Sequence, residues 1–120
     1  MKRFLRIALS AAFVCALATA AYAHAFLDRA VPGVGGTVSG SPAELKLSFT
    51  QDIVVAFSGV QISAVGGGAV PAGKPTLGAP NVMSVSLGRA LKPGAYRVSW
   101  HVVSVDTHAS SGAYQFTVAP

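Results

Sequence analysis

The sequence predicts an all-β domain, either a two-layer antiparallel sandwich or a small Greek-key barrel. Three observations carry this expectation. Short runs alternate apolar and polar residues with period two, Gly and Pro punctuate the gaps between them, and no stretch keeps a helical period. A lone tryptophan, Trp100, in the longest run adds to the same picture.

In chain order, residues 1–23 have the three parts of a cleavable secretory signal. Lys2, Arg3 and Arg6 precede an apolar stretch from about residue 7 to residue 18, and Ala21-Tyr22-Ala23 supplies a small-residue cleavage site. The apolar stretch is shorter than the ~20 residues that span a bilayer, which argues against a retained anchor. The domain is therefore expected over residues 24–120, with export to the periplasm.

Within that domain, Leu45, Leu47 and Phe49 alternate with Lys46, Ser48 and Thr50, as expected of a half-buried strand. Val60, Ile62 and Ala64 repeat the pattern, and Gly66-Gly67-Gly68 then gives a turn. Residues 71–80, rich in Pro and Gly, are expected to form a loop. Met83, Val85 and Leu87 mark the next strand, and Lys92-Pro93-Gly94 the next turn. In the longest strand Tyr96, Val98, Trp100 and Val102 are expected to face the core, with Arg97, Ser99 and His101 facing out. Tyr114, Phe116 and Val118 form the last.

Composition narrows the function. Of nine Lys and Arg, three lie in residues 1–23, whereas all four Asp and Glu lie beyond, so residues 24–120 carry six cations against four anions. Those cations are scattered along the chain, which argues against nucleic-acid binding. The single cysteine, Cys15, falls inside the signal, leaving the domain neither disulfide nor thiolate metal site. Gly66 to Gly68 precede no Lys-Ser/Thr pair, so no phosphate cradle is expected.

The donors for chemistry are three histidines and one carboxylate. Cleavage after Ala23 exposes His24 as the first residue, whose α-amine and imidazole can close a chelate ring on a metal. Asp106 and His108, two residues apart, point to one side if the segment is extended and can reach one ion; the alternative is a turn in which Asp106 caps backbone amides and His108 is simply exposed. A first strand starting at His24 beside this segment gathers three nitrogens and one oxygen. That set suits divalent copper in a tetragonal plane, with zinc as the chemical competitor. Met83 is expected in the core rather than on a metal. His101 is expected on the exposed face. Ser104, Ser110 and Ser111 lie near Asp106 and His108 but lack a nucleophile elbow, so no hydrolytic triad is expected.

These residues resemble the CopC family of periplasmic copper-binding proteins of copper resistance and homeostasis. The resemblance runs through His24-Ala25-Phe26-Leu27, Pro32, Leu45-Lys46-Leu47-Ser48-Phe49 and Tyr96-Arg97-Val98-Ser99-Trp100. It continues through Val103-Ser104-Val105-Asp106-Thr107-His108 and the final segment from Ser111 to Val118. It implies an immunoglobulin-like β-sandwich binding Cu(II) through His24, Asp106 and His108. Some members carry a Met-rich loop for monovalent copper, which residues 71–83 lack. Some carry Glu after the Phe-Ser of the second strand, where this chain has Gln51 followed by Asp52. The family often places Arg after the Trp, where this chain has His101.

The expectation is a monomeric, non-enzymatic Cu(II)-binding protein that sequesters copper or delivers it to an inner-membrane copper transporter. Two other classes compete. One is an oxidative mono-copper enzyme resembling lytic polysaccharide monooxygenases, which also grip copper with an N-terminal His. The other is a metal-free β-sandwich acting as an interaction module.

Overall fold

Burial alternates residue by residue along the longest strand, β8 (Gly94–Val103). Tyr96, Val98, Trp100 and Val102 are buried, while Arg97 and His101 are exposed. The computed structural model describes residues 24–120; the expected signal, with Cys15, lies outside the described residues. Among the described residues no helix is long and apolar enough to cross a membrane.

The strands form two sheets packed face to face. One has the order β1 (Leu27–Val31), β3 (Glu44–Phe49), β7 (Val82–Ser86), β6 (Thr76–Leu77). The other runs β2 (Thr37–Ser39), β9 (Ala109–Ala119), β8, β4 (Gly59–Ala64), β5 (Ala69–Val70). The all-β sandwich expected from the alternation is the fold observed.

The core lies where the inward positions of both sheets meet. Leu45, Leu47 and Phe49 of β3, Met83 and Val85 of β7, and Phe116 and Val118 of β9 are buried there. Phe49 meets Trp100 edge to face across the layers at 5.2 Å, and Tyr96 stacks on its cross-strand partner Phe116 at 5.7 Å. With no disulfide available, this burial must supply the stability, at about 1.5–3 kcal/mol per large apolar side chain.

Four local features depart from the sequence expectation. Residues 71–80 hold the two-residue strand β6, which pairs with β7. Strand β2, in a Gly-rich stretch, pairs parallel with β9. A 3₁₀ turn, Val55–Phe57, precedes β4. The first strand starts at Leu27, so His24 lies in the segment leading into it. The two short strands reflect tertiary pairing of segments too short to show a period of their own.

Strands β8 and β9 pair from Gly94↔Val118 to Val103↔Ala109, leaving residues 104–108 as their connection at one pole. That connection carries Asp106 and His108.

Candidate metal centre

The site is built from two backbone segments that the sandwich brings to the same pole. The first is 24–26. Ala25 is fully buried, and its carbonyl accepts a hydrogen bond from the Ser110 hydroxyl of β9. Phe26 is tied to the end of β3 by a pair of bonds: its amide donates to Thr50 Oγ1 at 3.0 Å, and the Thr50 amide donates to the Phe26 carbonyl at 2.9 Å. One sheet therefore holds Phe26 and the other holds Ala25, which fixes where His24 emerges.

The second segment is the turn after β8. The Ser104 amide donates to the His108 carbonyl at 2.9 Å, and the Thr107 amide to the Ser104 carbonyl at 2.8 Å. The Val105 amide donates to the Asp52 carbonyl at 3.1 Å, tying the turn to the chain beyond β3. Thr107 takes a φ of 74°, the left-handed conformation that β-branched residues rarely adopt. Of the two conformations the sequence allows here, extended segment or turn, the segment adopts the tight turn. The turn still brings the two side chains together, with His108 Nδ1 3.3 Å from Asp106 Oδ1.

His24 joins them. Its ring lies 5.0 Å from that of His108, edge to face, and 6.2 Å from Phe26. His108 and Asp106 are exposed and His24 is half-buried. The Ser104 hydroxyl, and after it His108, hold the Asp106 carboxyl below its ordinary value of 3.8, against an opposing effect of desolvation. The carboxylate is therefore ready to meet a cation. Among the described residues no three His, Cys, Asp or Glu side chains already stand at metal-binding spacing. The tilted His24 and His108 rings must turn their nitrogens toward a common point to hold an ion.

The remaining candidates fall elsewhere. His101 sits on the outer face of β8, its ring over Gly59 of β4. Met83 is fully buried, as expected of core packing. A concavity of about 420 Å³ along β4 and β5 is lined by residues such as Gln61, Val70 and Ser99 and by no His, acid or base. Sequence reasoning weighed Ser104 and Ser110 only as nucleophiles and missed their hydrogen bonds to the site segments. Their signal was available in part, since Ser104 precedes Asp106 by two residues, a spacing that suits side-chain bonding within a turn.

The CopC domain pattern matches residues 27–119. The chain is 34% identical to Protein YobA of Escherichia coli K12, over 97% of this chain and 95% of that protein. It is also 34% identical to Copper resistance protein C of Escherichia coli, over 92% of this chain and 93% of that one. The crystal structure of PcoC, a methionine-rich copper resistance protein from Escherichia coli, superposes with a TM-score of 0.74 at 33% identity. It covers 80% of this chain and 99% of that one. With its sandwich fold and nearly the whole domain matched, the chain belongs to the CopC family.

Proposed function

We propose that this is an exported periplasmic protein of copper homeostasis and resistance that binds Cu(II), sequestering it or handing it to a membrane copper-transport partner, with no turnover of its own. The observation that carries this reading is that His24 stands beside His108, and His108 beside Asp106, at one pole of the sandwich. Cleavage after Ala23 turns the His24 nitrogen from an amide into an amine. Amine, two imidazoles and a carboxylate make a donor set that divalent copper favours over the other divalent metals.

The chain contains two methionines, Met1 and Met83, and Met83 is sealed in the core. Monovalent copper, which prefers soft sulfur, therefore has no comparable site in the domain. Family membership favours neither the oxidative copper enzyme nor the metal-free module. The exposure of His108 and Asp106 suits transfer of the ion to a partner as well as capture.

The test is electron paramagnetic resonance of the protein beginning at His24, titrated with Cu(II). The expected result is one equivalent bound in a nitrogen-rich tetragonal spectrum. That spectrum is lost in an Asp106→Ala/His108→Ala variant, and binding is strongly weakened when one residue is added before His24. Equal binding by the extended protein overturns the proposed chelate.

A further inference from the structure

Ser104 is 1% exposed, and a buried hydroxyl is costly unless its hydrogen-bonding capacity is used. Here it is used entirely on the segment that carries Asp106 and His108. Oγ lies beside Asp106 Oδ1, accepts the His108 amide at 3.3 Å, and stands 3.1 Å from the His108 carbonyl. One hydroxyl proton serves one acceptor at a time. The carboxylate is the stronger of the two, and the His108 carbonyl already receives the Ser104 amide.

Closing the turn does not require this hydroxyl. The backbone bonds from the Ser104 amide and to the Ser104 carbonyl close it already. What the hydroxyl adds is a buried anchor for an exposed carboxylate. Its own position is firm, because Ser104 also bridges to buried Ile53. The same Oδ1 faces His108 Nδ1, so fixing that oxygen orients the carboxylate relative to the imidazole.

We propose that Ser104 is the positioning residue of the copper site, its buried hydroxyl holding Asp106 Oδ1 and the His108 backbone so that carboxylate and imidazole are presented together to one ion. This rests on the copper-binding reading above. Outer partners of metal ligands typically change metal affinity by about 10–100-fold when removed, because the ligand must then be ordered by the metal itself.

The experiment is a double-mutant cycle on the protein beginning at His24, with Cu(II) affinity by competition titration and the Cu(II) paramagnetic spectrum as readouts. Ser104→Ala is expected to weaken binding about 10–100-fold and alter the spectrum in the wild-type background. In an Asp106→Ala background its effect is expected to shrink to the part that acts through the His108 backbone, with the carboxylate's share gone. A role confined to folding would lower the melting temperature in both backgrounds and leave affinity and spectrum unchanged, which overturns the proposal. Should the alanine variant not fold, Ser104→Thr keeps the hydroxyl and carries the test. Affinity and spectrum close to wild type support the proposal, and a folded threonine variant that binds about tenfold or more weakly overturns it. No stoichiometric binding by the wild-type protein would instead refute the copper-binding reading, a separate outcome.

Discussion

Tyr114 carries the clearest energetic consequence at the level of a single residue. Its ring faces the core from β9, and its hydroxyl is buried with no hydrogen-bond partner. Burial pushes the phenol up to about 12 from its ordinary 10.0, because the anion cannot be hydrated there. An unsatisfied buried hydroxyl costs about 1–3 kcal/mol, so Tyr114→Phe should leave the fold as stable or stabilise it by about 1 kcal/mol in urea denaturation. The pH dependence has a definite sign. The unfolded phenol ionises near pH 10 and the folded one only near 12. Stability must therefore fall as pH rises across that interval, and Tyr114→Phe should flatten the alkaline limb. Loss of stability in the phenylalanine variant at neutral pH would show that the hydroxyl has a partner after all.

At the level of elements, the β8–β9 ladder sets both the core and the site. Trp100 lies opposite Gly112, and its indole occupies the space a side chain there would need. A Cβ on Gly112 would stand 2.6 Å from Trp100 Cζ2 and 2.9 Å from Cε2. The indole is rigid and only 7% exposed, wedged against Phe49, so it cannot swing aside cheaply. Gly112→Ala should cost about 1–3 kcal/mol and shift the tryptophan emission, read from a urea titration followed by fluorescence. An unchanged midpoint would mean that the indole has another place to go.

The same ladder separates what the sequence could and could not disclose. The inward set of β8 and the strands around Leu47, Ile62, Val85 and Phe116 were legible, because each spans enough residues for the alternation to show. The strands of two or three residues at Thr37 and Thr76 were not, because pairing partners, not local pattern, define them. The spacing of Asp106 and His108 allowed either an extended segment or a turn, and the side chains do stand together. The turn is the conformation adopted, with Thr107 in the left-handed region, and a β-branched residue gives no hint of that.

At the scale of the whole molecule, the sandwich joins segments that the chain keeps far apart. Ala25 and Ser110 are 85 positions apart yet hydrogen-bonded, so the start of the domain is held against the root of the β8–β9 turn. The sequence indicated this juxtaposition only through the chemistry of its donors. In the proposed chelate those donors would also set how Cu(II) binding responds to pH. The Asp106 carboxyl, held below the ordinary carboxylate range, has already lost its proton well below neutral pH and contributes no proton release there. A free α-amine with an ordinary pKa of ~7.7–8.0 is mostly protonated at pH 7, and a metal must displace that proton to bind it. Apparent Cu(II) affinity of the protein beginning at His24 should therefore rise with pH through about 8 and then level off as the amine becomes fully deprotonated. Calorimetry at pH 7 in buffers of different ionisation enthalpy should detect the released proton. A protein extended by one residue before His24 has no amine at this position, so its proton release should fall together with the affinity. Undiminished proton release in the extended protein would place the titrating group elsewhere and remove the amine from the chelate.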